Sequence, residues 1–131
     1  MEAVAYLFIL GRILLGVYFI MSGFNHFTNL GMLSGYAQSR GVPMAKEAVL
    51  LTGLMMFLGG LGILFGVYVE LSILLLSVFL IVTTFIMHQY WKVTDQMARM
   101  GEMVNFHKNL GLLGAILMLL AIPLPWALSL M

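Results

Sequence analysis

Residues 49–91 read VLLTGLMMFLGGLGILFGVYVELSILLLSVFLIVTTFIMHQYW, and Glu70 is the only Asp, Glu, Lys or Arg among them. A bilayer core about 30 Å thick takes roughly 20 apolar residues per helical passage. The stretch is therefore long enough for two passages, at about 49–69 and 71–90, turning over near 66–70. So short a turn makes the two helices an antiparallel hairpin. The second run ends on Tyr90 and Trp91, aromatic residues of the kind that settle at a membrane–water interface.

Working outward, two further apolar runs flank the hairpin, at about 3–24, interrupted by Arg12, and at about 104–122. The expected fold is all-α, a four-helix transmembrane bundle formed by a single domain over residues 1–131. Composition agrees. The chain of 131 residues is 63% hydrophobic and 8% charged, against about 45–50% and 25% in soluble domains. A small water-soluble domain has too much surface for its volume to hide that apolar content. This argues against a soluble enzyme or a disordered chain. A net charge of +1 gives no electrostatic footprint for nucleic acid. With no cysteine, disulfides and thiolate chemistry are excluded. The first run carries Glu2 and no Lys or Arg ahead of it, so it reads as a retained helix and not as a cleaved signal peptide.

Four passages put the connections at 25–47 and 88–103 on one side and both termini on the other. The connections hold Arg40, Lys46, Lys92 and Arg99, with Lys108 just beyond. By the positive-inside rule they are cytoplasmic. The expectation is a multi-pass protein of the bacterial cytoplasmic (inner) membrane with periplasmic termini. Gly59, Gly60, Gly62 and Gly66, with Gly111 and Gly114, are small residues that let helix backbones approach. They suit packing within the bundle, or alternatively a homo-oligomer face. The twelve Met read as fillers of apolar gaps.

Polar residues are costly in such a chain, and each is a candidate for function. Most gather at the cytoplasmic end: Asn25 and His26, Lys46 and Glu47, His88 and Trp91, and Asn105, His107, Lys108 and Asn109. The candidate ligand-binding set is Asn25, His26, Glu47, His88, Trp91, His107, Lys108 and Asn109. His88 and Trp91, three apart, would share a helix face, and Asn105 and Asn109, four apart, would point to one side. His26, His88 and Lys108 are expected to converge on one cavity. Lys108 either snorkels to the headgroups or faces inward towards Glu47 or an anionic ligand. Asp95 and Arg99 have the spacing of an exposed ion pair. Arg12 either snorkels or forms a structural ion pair with Glu70. The histidines and Glu47 lack a local metal-ligand spacing, and the surrounding Lys and Arg disfavour a bare cation, so no metal is expected.

The order of short motifs resembles the DoxX family of small four-helix bacterial membrane proteins. They are Gly11-Arg12 to Gly16, Ser22-Gly23-Phe24-Asn25-His26-Phe27, Tyr36-Ala37, Gly41-Val42-Pro43 and Gly59-Gly60 to Gly66. Met87-His88-Gln89-Tyr90-Trp91 with Asp95 follows, and then Phe106-His107-Lys108-Asn109-Leu110 with Gly114. In one departure, the Glu that many relatives carry shortly before the paired glycines is replaced by the neighbourhood Met55-Met56-Phe57. The resemblance implies a four-helix membrane fold and an association with redox systems. Named members are similar to membrane subunits such as that of a thiosulfate:quinone oxidoreductase of sulfur-oxidising archaea, or are linked to oxidative stress or catechol metabolism. It assigns no catalytic residue. The functional expectation is a membrane subunit that offers a quinone-like ligand a site at the cytoplasmic end. There Lys108 or His88 would bind the head and Trp91 would stack near it. Its partners would be the lipid bilayer and a redox subunit. The alternatives are a structural or assembly protein without catalysis, and a binding or transport protein for a small solute or lipid head.

Overall fold

The computed structural model describes residues 2–130. Five α-helices carry the fold: α1 (Ala3–Thr28), α2 (Leu30–Ser39), α3 (Ala45–Phe65), α4 (Val69–Met87) and α5 (Gln96–Met118). Short 3-10 turns follow α4, at Tyr90–Lys92, and α5, at Leu119–Ala121. No strand occurs among the described residues. Four of the helices, all but α2, are long and apolar enough to cross a membrane. The chain is thus an all-α four-helix bundle, with two departures from the sequence expectation. The connection at 25–47 contains a helix of its own, α2. The fourth passage starts at Gln96, eight residues before the expected 104, because Asp95 caps it by accepting a hydrogen bond from the Ala98 amide at 2.9 Å. Asp95 is therefore a cap and not the partner of Arg99.

Helix α3 is the centre of the bundle, with α1 on one side and α4 on the other, and α5 packs on α4. The α1–α3 seam is a backbone-to-backbone contact made through glycines spaced seven apart on each helix. A Cβ on Gly16 would lie 2.9 Å from the Gly60 carbonyl oxygen, and one on Gly60 would lie 2.8 Å from that of Gly16. Gly23 and Gly53 meet in the same way one heptad on, with only 2.5 Å between a Gly23 Cβ and the Gly53 oxygen. The pairing 16 with 60 and 23 with 53 makes the helices antiparallel. The other side of α3 uses Gly59, where a Cβ would sit 2.6 Å from Leu76 Cγ on α4. Gly111 and Gly114, expected to mark a packed side, have no neighbour within 4 Å of a built Cβ. Phe19, Met56, Ile63, Ile73, Leu76, Leu80, Ile116 and Trp126 fill the core.

Helix α3 ends at Gly66 in the left-handed conformation (φ 68°), which only glycine adopts without strain. The Val67 amide turns back to the Gly62 carbonyl at 3.0 Å. The remaining end carbonyls need donors that hydrocarbon cannot supply. Arg12 provides them from α1: Nε donates to Ile63 at 3.3 Å, one terminal nitrogen to Leu64 at 3.1 Å and the other to Ala127 of the C-terminal segment. That segment completes the set, with the Leu130 amide donating to Phe65 at 3.0 Å and Ser129 Oγ to Gly66 at 2.7 Å. The guanidinium also lies 5.7 Å from the Phe8 ring centroid and 5.5 Å from that of Trp126. The expected Arg12–Glu70 ion pair does not form. The arginine's donors are taken by carbonyls at the negative end of α3, and Glu70 is exposed on the first turn of α4.

The seam makes a direct prediction. Gly60→Leu forces two backbones apart and should cost about 1–3 kcal/mol, whereas Gly111→Leu should change stability by less than about 0.5 kcal/mol. Unfolding in mild detergent followed by circular dichroism measures both, and equal losses would contradict the assignment of the seam.

Candidate functional site

Helix α1 is committed to α3 and α5 to α4, and α1 shares no packed seam with α5. Between them lies a cavity of about 610 Å³. Its walls are mostly apolar. Phe19 on α1, Met56 on α3, and Phe79 and Leu80 on α4 form the inner part. Leu33, Tyr36 and Ala37 of α2, with Val42, close the end that faces the long connections. The exposed side chains of Tyr18 and Met21 on α1 and of Val82 and Ile86 on α4 also line it. These positions lie within membrane-crossing helices, so the cavity opens sideways into the space that lipid occupies.

The polar lining comes from all five helices: Ser22, Asn25 and His26 from α1, Tyr36 from α2, Thr52 from α3, Thr83 from α4 with His88 just past its end, and Asn105, Lys108 and Asn109 from α5. His26, His88 and Lys108 thus line the same cavity. His26 Nδ1 lies 3.0 Å from the Val49 carbonyl oxygen. A carbonyl only accepts, so Nδ1 carries the hydrogen and the neutral ring keeps Nε2 as an acceptor. Asn109 is the unusual member. It is only 7% exposed, it lines the cavity, and its side-chain amide has no hydrogen-bond partner among the described residues. The buried polar atoms without a partner among the described residues are Ser34 Oγ, Ser77 Oγ, Thr84 Oγ1 and Trp126 Nε1. The Asn109 amide is not one of them, so it keeps accessible surface and is free to meet a cavity ligand.

Three candidates from the sequence stand elsewhere. Glu47 is exposed on the first turn of α3 and does not line the cavity. Helix α4 stops at Met87, so His88 and Trp91 do not share a helix face, and Trp91 belongs to the following 3-10 turn. There it joins an aromatic cluster outside the cavity, 5.6 Å from the Phe106 ring and 5.3 Å from Tyr90. His107 packs into that cluster too, 5.8 Å from Tyr90 and 5.6 Å from Phe106. The cluster suits an interfacial anchor.

The acid beside the site is Glu102, one turn before Asn105 on α5; it does not line the cavity but contacts Tyr36 and His88, which do. Its side chain is buried, with the residue 8% exposed. Both carboxylate oxygens accept from the Tyr36 hydroxyl, at 3.0 and 2.9 Å. His88 Nδ1 lies 3.2 Å and an Arg40 terminal nitrogen 3.5 Å from Oε2. Arg40 and Glu102 form an ion pair, and the His88 contact becomes one only when the imidazole takes up a proton. One carboxylate thereby ties α2 to α5 and to the end of α4 across the floor of the cavity. Burial, and then the bond to Glu102, push the Tyr36 hydroxyl above the usual phenol range, so it remains a neutral donor. The signal was present in the sequence: Glu102, Asn105 and Asn109 follow the i, i+3, i+7 spacing of one helix face. It becomes visible only once α5 is seen to begin before residue 102.

Removing the carboxylate leaves Tyr36 and His88 without their partner. Glu102→Ala should cost about 2–3 kcal/mol and Tyr36→Phe roughly half of that, while Glu47→Ala should stay within about 0.5 kcal/mol. Chemical unfolding in detergent measures the three, and a Glu102→Ala protein as stable as Glu47→Ala would contradict the arrangement.

The DoxX family model matches residues 7–89, which takes in most of α1 and all of α2 to α4 and stops before α5. A curated relative, the inner membrane protein YphA of Escherichia coli (strain K12), is 32% identical over 124 residues, covering 95% of this chain and 87% of the relative. No solved structure matches the chain. By the family match and the near full-length relative, the chain belongs to the DoxX family.

Proposed function

We propose that this chain is a multi-pass protein of the bacterial inner membrane that holds a small amphiphile with a quinone-like head in the cavity between α1 and α5, as the membrane subunit of a redox system. The single observation behind it is Asn109, a largely buried residue that lines a cavity open towards lipid and whose accessible amide makes no hydrogen bond to another described residue. Apolar pockets with a few placed polar groups are the usual form of a small-molecule site. A lateral mouth suits a ligand that arrives dissolved in the bilayer. The inner membrane location is supported by the relative's name and by four apolar helices. Periplasmic termini remain part of this reading, supported by Arg40, Lys46, Lys92 and Arg99 in the two connections on the opposite side.

The residues present fit a quinone head. Its oxygens accept hydrogen bonds, and the Asn109 amide and the Lys108 ammonium donate them. His26 Nε2 accepts from the hydroxyl of a reduced head. Phe19, Phe79 and Leu80 offer the ring and chain an apolar wall. When bound, a quinone would supply two-electron redox chemistry. The chain's own residues bind and orient the head and keep water from it.

Protein extracted into nanodiscs with native lipid should carry a quinone or a similar amphiphile detectable by mass spectrometry, and should bind an added short-chain quinone. Asn109→Leu and Lys108→Met should each weaken that binding about tenfold, the loss of one hydrogen bond. Absence of binding, or equal binding by all three proteins, would contradict the reading.

A further inference from the structure

The cavity holds two histidines in different electrostatic settings. His26 has a neutral carbonyl behind its Nδ1, that of Val49. His88 has the Glu102 carboxylate behind its Nδ1, at 3.2 Å. A carboxylate accepts, so Nδ1 of His88 carries a hydrogen, and the neutral ring keeps a lone pair on Nε2, which has no partner among the described residues. An imidazolium at His88 is met by a counter-charge already in contact, and one at His26 is not. The carboxylate is itself fixed by the Tyr36 hydroxyl, and Arg40, which reaches it at 3.5 Å, keeps a side chain 32% exposed. The same carboxylate therefore contacts a cavity-lining ring and a side chain that extends to the surface.

We propose, resting on the reading of the cavity given above, that His88 with Glu102 behind it is the proton acceptor for a cavity ligand whose head is a weakly acidic hydroxyl, of the phenol or quinol class. The ligand O–H bond breaks, an N–H bond forms at His88 Nε2, and the Nδ1 hydrogen stays in its bond to Glu102. The ligand is left as an oxyanion, which the Lys108 ammonium and the Asn109 amide are placed to hold. No oxidant takes part in the step. The titratable and charged groups around the acceptor are Tyr36 from α2, Arg40 just beyond it, Glu102 and Lys108 from α5, and His26 from α1 across the cavity.

A long-chain alkyl nitrophenol, whose phenolate absorbs visible light, reads this step directly. Bound to the wild-type protein in nanodiscs, its ionisation midpoint should fall by about one pH unit or more, a tenfold change in proton affinity, relative to the probe in empty nanodiscs. His88→Gln and Glu102→Gln should bind the probe and lose most of that shift. Should Glu102→Gln fail to fold, as a thermal melt would reveal, His88→Gln decides alone. A bound probe with an unshifted midpoint overturns the proposal, and so does a full shift in His88→Gln that vanishes in Lys108→Met, since charge alone would then account for it. A wild-type protein that does not bind the probe at all instead overturns the reading of the cavity.

Discussion

Hydrocarbon offers no hydrogen bonds, so each polar group that a membrane-crossing chain carries inward must find its partner within the chain. That constraint accounts for the two polar clusters of this protein. At one end, the last carbonyls of α3 are met by Arg12 and by the C-terminal segment. The arginine is held by backbone dipoles and two aromatic rings without a carboxylate. At the other end, Glu102 is met by Tyr36, His88 and Arg40. The constraint is not met everywhere: Ser34, Ser77, Thr84 and Trp126 each bury a polar atom without a partner, and Asn109 turns an accessible, unbonded amide to the cavity.

Helix packing then decides where the cavity sits. Without a hydrophobic drive between helices in lipid, close backbone approach supplies the contact energy. Glycines give α3 two such faces, one for α1 and one for α4. Helix α5 has a packed neighbour on only one side, and the space left between it and α1 becomes the cavity. The short helix α2 covers one end of that space, joined to α5 through a single carboxylate.

The four passages were legible because apolar runs of membrane length are a strong signal, and His26, His88, Lys108 and Asn109 were legible because polar residues are rare in such runs. What escaped was tertiary. Arg12 and Glu70 look paired by charge, but helix-end carbonyls have no sequence signature and compete for the same guanidinium. Glu102 was hidden by the boundary of α5, since the charged segment 95–103 lowers hydropathy although Asp95 caps a helix there. Trp91 and His107 were drawn to the site by proximity in sequence. The 3-10 turn after α4 carries Trp91 away, and the rings of Tyr90 and Phe106 hold His107 outside.

A cavity open to lipid, with one end covered by α2 and α2 tied to α5 through Glu102, should admit neutral reagents and exclude charged ones. Because the chain has no cysteine, a single Ser22→Cys substitution on the cavity wall reports access without background. In nanodiscs, a small neutral maleimide should label it and a charged, membrane-impermeant one should not, and Glu102→Gln should admit the charged reagent. Labelling by the charged reagent with Glu102 intact, or no labelling by the neutral one, would contradict the account.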